Sequence, residues 1–130
     1  MQLDGITALV VDDHRDTLEL AGMVLEWDGA HVLEAKSAEE ALRLLEQNAI
    51  DVVVCDIILP RLDGRAFMRE LRHRHDAKRG IPALAVSGDA DPDRVQLALE
   101  AGFDRFQAKP LDTDVLVEQV RSLVGRRAER

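Results

Sequence analysis

Val52 to Cys55 is an unbroken apolar run that ends on an acid, Asp56. A short apolar loop comes next, closed by Pro60 and the turn signal Asp63-Gly64. Thr7 to Val11 is a second run of this kind and ends on two acids, Asp12 and Asp13. Apolar runs without alternation belong to strands buried on both faces, and open α/β sheets place their chemistry at the carboxyl ends of such strands. The three acids are therefore expected to meet in one site, with Asp56 as the reactive group. Like charges about 4 Å apart cost roughly 1–4 kcal/mol per pair for effective dielectrics between 80 and 20, so the cluster needs a cation. Carboxylates plus water suit Mg2+. Scattered histidines and one cysteine do not suit zinc. Two further runs end in Ser87-Gly88 and before Lys109-Pro110. A hydroxyl, an ammonium, a metal and a carboxylate nucleophile together make a site for phosphoryl transfer, in which the carboxylate becomes an acyl phosphate and catalysis is mainly positioning and electrostatics.

The elements that must position these groups are legible from periodicity. Strands are predicted at Thr7 to Val11, His31 to Ala35, Val52 to Asp56, Ala83 to Ser87 and Phe103 to Ala108. Between them lie five helical patterns. The first runs to Trp27 with Asp16 as its cap and Gly29 beyond its end; its inward positions are Leu18, Ala21, Val24 and Leu25. The second opens on the capping box Ser37-Ala38-Glu39-Glu40 and buries Ala38, Ala41, Leu42 and Leu45. The third runs from Gly64 to about His75 on Phe67, Met68 and Leu71, and a polar loop from Asp76 to Gly80 comes after it. The fourth starts at Asp91-Pro92, turns Val95, Ala98 and Leu99 inward, and stops at Gly102. The fifth is capped by Asp112, buries Leu116, Val120, Leu123 and Val124, and ends at Gly125, leaving a short tail to Arg130.

Strands alternating with helices imply a parallel sheet covered on both faces. The strands ending at Val11, Asp56 and Ser87 are apolar throughout and belong in the centre. Those carrying His31 and Glu34, and Asp104, Arg105 and Gln107, belong at the edges. The order 2-1-3-4-5 satisfies this and puts its switch point between the strands that carry the acids.

At 130 residues the chain is the size of one domain. Its net charge of −8 argues against a general nucleic-acid surface. The single cysteine, Cys55, excludes an internal disulfide and fits a reducing compartment. No apolar stretch reaches the roughly 18–20 residues that span a bilayer, and the amino terminus lacks a signal-peptide pattern, so a cytoplasmic protein is expected. Cys55 reads as a buried small residue, His14 as an exposed loop residue and Trp27 as a packing residue. The basic stretch from Arg69 to Arg79 reads as solvated surface. No glycine-rich phosphate loop succeeds the first strand, which disfavours nucleotide binding by that route.

The acidic pair Asp12-Asp13, the loop from Asp56 to Gly64, Ser87-Gly88, Phe106 and Lys109-Pro110 occur in order, each at a predicted strand end. In this the chain resembles the receiver domains of bacterial two-component response regulators over about residues 6 to 124. The resemblance implies a flavodoxin-like (βα)5 three-layer sandwich forming a single receiver domain over residues 1–130, with a core of about 6–124 and a tail of 125–130. It implies that Asp56 accepts a phosphoryl group from a phosphohistidine, with Ser87 hydrogen-bonded to that group and Lys109 paired with it. Mg2+ would be bound by Asp13, Asp56 and the Ile58 carbonyl directly, and by Asp12 through water. The Lys109–Pro110 bond would be cis, and Phe106 would be an aromatic switch. Ile58 and Asp89 stand where the family tunes loss of the phosphoryl group. Implied partners are a sensor histidine kinase or histidine phosphotransfer protein and a downstream effector, with no direct contact to nucleic acid or membrane. The face of the fourth helix, fifth strand and fifth helix would switch, and the apolar excess on the fifth helix (Val115 and Val117 among it) suggests a partner or a second copy there. Such a domain catalyses only its own phosphorylation and dephosphorylation. It stands alone or belongs to a hybrid sensor kinase, and no output domain is expected in the chain. Two other functions fit the residues less well: a pseudo-receiver that binds without turnover, and a small Mg2+-dependent phosphatase.

Overall fold

The structure is a computed structural model that describes residues 2–128. Five strands, β1 (Thr7–Val11), β2 (His31–Ala35), β3 (Val52–Asp56), β4 (Ala83–Ser87) and β5 (Arg105–Ala108), form one parallel sheet in the order β2-β1-β3-β4-β5. The helices between them are α1 (Arg15–Trp27), α2 (Ala38–Gln47), α3 (Gly64–Arg72), α4 (Pro92–Ala101) and α5 (Thr113–Ala128). This is the fold class read from the sequence.

Side chains alternate across each strand, and the two faces of the sheet build two cores. Ala8, Val10, Val52, Val54, Leu84 and Val86 face Leu18, Ala21 and Leu25 of α1 and Leu116, Val120 and Leu123 of α5. Leu9, Val11, Val53, Cys55, Ala83 and Ala85 face Ala41 and Leu45 of α2, Phe67, Met68 and Leu71 of α3, and Ala98 of α4. Every residue of β3 and β4 is buried, whereas β2 and β5 are only partly covered, as their polarity requires. Burying one large aliphatic side chain stabilises by about 1.5–3 kcal/mol, so these two layers hold the strand ends in place.

Several local expectations need correction. Asp16 does not cap α1: the helix begins at Arg15 with His14 at the cap position and no side-chain cap, because the chain turns two residues earlier around Asp12. The Asp76–Gly80 stretch is not loose. Asp76 caps a 3-10 turn, Ala77–Gly80, through the Lys78 amide. Strand β5 starts at Arg105, not Phe103, because Asp104 turns its carboxylate back onto the Ala83 amide. Leu99 is 39% exposed; α4 buries the small Ala98 and Ala101 against the sheet and leaves its leucines outside. Trp27 is 64% exposed at the end of α1 and does not pack into the core. Gly125 does not stop α5, which continues to Ala128, so most of the expected tail is helical. Glu129 and Arg130 lie outside the described residues. The Ser37, Asp91 and Asp112 caps all form as expected, Asp63, read only as part of a turn, also caps α3, and Gly29 and Gly102 take the positive φ values (103° and 121°) that end α1 and α4.

Two long-range ties are absent from the sequence reading. Arg121 of α5 donates from its Nε and Nη2 to the two carboxylate oxygens of the buried Asp28 after α1, and this holds the Asp28 carboxyl below its ordinary range. Arg72 at the end of α3 donates to the carbonyls of Gly102 (2.9 Å), Arg79 (2.7 Å) and Ile81 (2.7 Å), and to Asp104 (3.2 Å).

Candidate functional site

The register of the central strands assembles the site. Val11 pairs with Cys55, so the next residues along, Asp12 and Asp56, emerge side by side at the carboxyl edge. Both carry the parity of Val10 and Val54, whose side chains face α1 and α5. Asp56 pairs with Val86 and Ser87 with Ala108, so Ser87 and Lys109 emerge beside them at the same edge. Asp12, Asp56 and Ser87 are all nearly fully buried, at 2–3% exposure.

Lys109 Nζ donates to Asp12 Oδ2 and to Asp56 Oδ2, each at 3.0 Å. Asp56 Oδ1 accepts from the Ile58 amide at 3.0 Å. Burial raises the Asp56 carboxyl above its ordinary range, and the hydrogen bonds from Lys109 and the Ile58 amide only partly offset that; the Asp12 charge adds to the rise. Burial works to lower Lys109, but its hydrogen bonds to Asp12 and Asp56 outweigh this and raise it. Lys109 is therefore a fixed cation and Asp56 a carboxylate whose charge is costly to keep. The Lys109–Pro110 bond is cis.

The other expected residues fall around this centre. Asp13 is at the rim, 36% exposed in its side chain. Ile58 is 63% exposed above Asp56. Ser87 Oγ accepts from the Asp89 amide at 3.2 Å. A cleft beside it is lined by Ile57, Ile58, Leu59, Arg65, Asp89 and Arg94. Phe106 is half-buried against the core layer beneath α2 to α4. Cys55 is fully buried, and burial pushes its thiol well up, so it is inert as expected. The loop from Asp56 to Gly64 is held tight from below. Asp63 caps α3 on the Ala66 amide, Gly64 donates to the Ile57 carbonyl, and a Cβ on Gly64 would lie 2.4 Å from the Asp56 carbonyl oxygen.

One member of the site escaped the sequence reading. His14 is exposed, at 66% of its side chain, as expected. Yet its Nδ1 reaches Asp12 Oδ1 at 3.1 Å, Asp13 Oδ1 at 3.3 Å and Asp56 Oδ2 at 3.8 Å. The signal was available: a histidine directly after an acidic pair at a strand end lies within reach of anything the pair surrounds. Arg65 and Arg94, which flank the cleft by Ser87, were likewise missed, since neither belongs to a motif.

The comparisons with known proteins agree with this geometry. The sequence model of the response regulator receiver domain matches residues 8–121. The chain is 36% identical over 122 residues to the response regulator MprA of a Mycobacterium species, covering 93% of this chain and 51% of that protein. It is 33% identical over 116 residues to the CAI-1 autoinducer sensor kinase/phosphatase CqsS of Vibrio cholerae, covering 89% of this chain and 17% of that one. It thus spans about half or less of the length of these relatives. The solved receiver domain of a Francisella response regulator superposes with a TM-score of 0.87 at 28% identity, over 95% of this chain and 99% of that one. With acids, hydroxyl and lysine on the edge of a 2-1-3-4-5 sheet, and a family match across both cores, the chain belongs to the receiver domain family of two-component response regulators.

Proposed function

We propose that this receiver, acting as one unit, takes a phosphoryl group from a phosphohistidine onto Asp56 and thereby switches a partner-binding surface. The observation that carries the reading is the shared bond of Lys109 to Asp12 and Asp56 at the switch point of the sheet. An Asp56 oxygen attacks phosphorus, the P–N bond breaks, and the imidazole leaves with the bonding pair. Lys109 then turns its ammonium from the free carboxylate to an oxygen of the phosphoryl group, and Ser87, freed from its turn, donates to another. Hydrolysis by water returns Asp56 and inorganic phosphate, so the chain acts on itself and on no separate substrate.

The donor set fits a hard divalent cation. Three carboxylates converge, one ligand atom of each within 4.8 Å of the others, with a single lysine to balance them. Asp13, Asp56 and the Ile58 carbonyl would hold Mg2+ directly and Asp12 through water. When bound, the ion neutralises phosphoryl oxygens. The donor is a histidine kinase or phosphotransfer protein and the output an effector protein, in keeping with the kinase and regulator relatives. The exposed Leu97 and Leu99 of α4 and Val115 of α5 suit that output face. No helix among the described residues is long and apolar enough to cross a membrane, which supports a cytoplasmic site of action.

The test is intact mass after incubation with a small phosphodonor, with and without Mg2+, beside Asp56→Asn. Mg2+-dependent addition of one phosphoryl group to the wild type alone is expected. A folded wild type that binds Mg2+ but takes no label from any donor makes the chain a pseudo-receiver.

A further inference from the structure

Phosphoryl transfer uses Asp12, Asp13, Asp56, Ser87 and Lys109 and leaves His14 without a task, although its ring stands among all three carboxylates. Lys109 takes Oδ2 of Asp12, whereas His14 Nδ1 faces the other oxygen of Asp12, Oδ1, and Oδ1 of Asp13. One ligand atom from each of Asp12, Asp13, His14 and Asp56 lies within 4.8 Å of the other three. Ligands about 2.1 Å from an octahedral ion are about 3.0 Å apart when adjacent and about 4.2 Å when opposite. Of the two acids that would bind directly, Asp13 lies 3.3 Å from His14 Nδ1, which matches adjacent positions, and Asp56 lies 3.8 Å away, between the two; the 3.1 Å contact is to Asp12, which acts through water. The imidazole is exposed, so it can adjust by a few tenths of an ångström without disturbing the core. His14 Nδ1–H donates to Asp12 Oδ1 at 3.1 Å; a bound cation takes the place of that proton, and the tautomer with its proton on Nε2 offers the Nδ1 lone pair.

We infer that His14 Nδ1 is a further ligand of the cation site, making it a mixed oxygen–nitrogen site that favours borderline first-row cations such as Mn2+, Co2+ and Ni2+ over Mg2+. Carboxylate and water suit Mg2+, which gains little from nitrogen. Imidazole suits the later first-row ions, whose affinity for such sites rises toward nickel and copper. The inference rests on the reading of this site as a divalent-cation site, and it assigns the choice of cation to a residue outside the phosphoryl machinery.

The test is calorimetric titration of Mg2+ and of Ni2+ into the full chain at one pH and ionic strength, for wild type, His14→Ala and His14→Gln, with pulsed EPR of bound Mn2+. His14 is exposed, so both variants should fold. Loss of a ligand is expected to weaken Ni2+ by at least about tenfold, the smallest effect typical even of outer-sphere partners, while Mg2+ changes by less than about twofold. A nitrogen coupling to Mn2+ is expected in the wild type and in neither variant. Nickel bound at His31, His73 or His75 persists in the variants and so separates from the His14-dependent event. Equal weakening of both metals, tighter Mg2+ with unchanged Ni2+, or a nitrogen coupling that survives substitution would each overturn the inference. If Mg2+ fails to bind the wild type while Ni2+ binds through His14, the Mg2+-dependent function falls and the inference stands; if neither binds, both fall.

Discussion

Asp56 is held in a place that resists its own charge. Its carboxyl is raised, first by burial and then by Asp12, so ionisation costs more in the folded chain than in the unfolded one. The cost is absent below the unfolded Asp pKa of about 3.9 and complete once the pH exceeds the raised folded value. Asp56→Asn should therefore stabilise the metal-free protein at neutral pH. The scale is about 1–3 kcal/mol, that of relieving one like-charge contact within 4.8 Å at effective dielectrics of 80 to 20. The gain should fade as the pH falls toward about 4; urea unfolding at several pH values measures it. Lys109 plays the opposite part. Lys109→Met leaves Asp12 and Asp56 facing each other without a cation and should destabilise the metal-free fold by roughly 1–3 kcal/mol. Asp56→Asn placed in the same chain should recover much of that loss, and a double-mutant cycle in denaturant gives the coupling directly.

At the scale of elements, the strand ends are positioned by the turns that lead out of them. The turn into α3 brings the Gly64 backbone against Asp56, where an added Cβ would meet the Asp56 carbonyl oxygen at 2.4 Å and the Ile57 Cα at 2.7 Å. Both neighbours are backbone, so neither can swing aside. Gly64→Ala should cost about 1–3 kcal/mol and slow the proposed phosphorylation by moving Asp56. Asp63→Ala, which removes only the cap on the Ala66 amide, should cost about 1 kcal/mol and leave labelling nearly unchanged; melting curves and intact mass separate the two. This end of the chain was legible in the sequence because the apolar runs, the Asp63-Gly64 turn and the capping residues all pointed the same way. Where the reading failed, a tertiary contact decided. The Asp12 carboxylate captured the His14 amide and started α1 early. Asp104 turned back to Ala83 and shortened β5. Small alanines, not leucines, set the buried face of α4. The acids, Ser87 and Lys109 announced themselves by type and place, but His14 became part of the site only through the turn that β1 makes on leaving the sheet.

The whole molecule couples its stability to its site. The carboxyl edge joins β1, β3, β4 and the residues after β5 through Asp12, Asp56, Ser87 and Lys109, while the chain carries a net charge of −8. A divalent cation at that edge would bind the folded chain alone, because only folding brings together residues 12, 13 and 56. Mg2+ at one hundred times its Kd should then add about 2.7 kcal/mol to the unfolding free energy and raise Tm on the order of 10 °C for a domain this size. Salt also stabilises an acidic protein by screening, so the measurement needs NaCl at matched ionic strength beside MgCl2. A rise specific to Mg2+, lost in Asp13→Asn and kept in a surface charge change such as Glu100→Gln, identifies binding at the edge. An equal rise with NaCl identifies screening alone and removes the cation from the account. Asp13 is the informative position because it is the least buried of the three acids. Replacing it disturbs neither the core nor the Lys109 bonds to Asp12 and Asp56, so a lost Mg2+ response cannot be laid to a loosened fold.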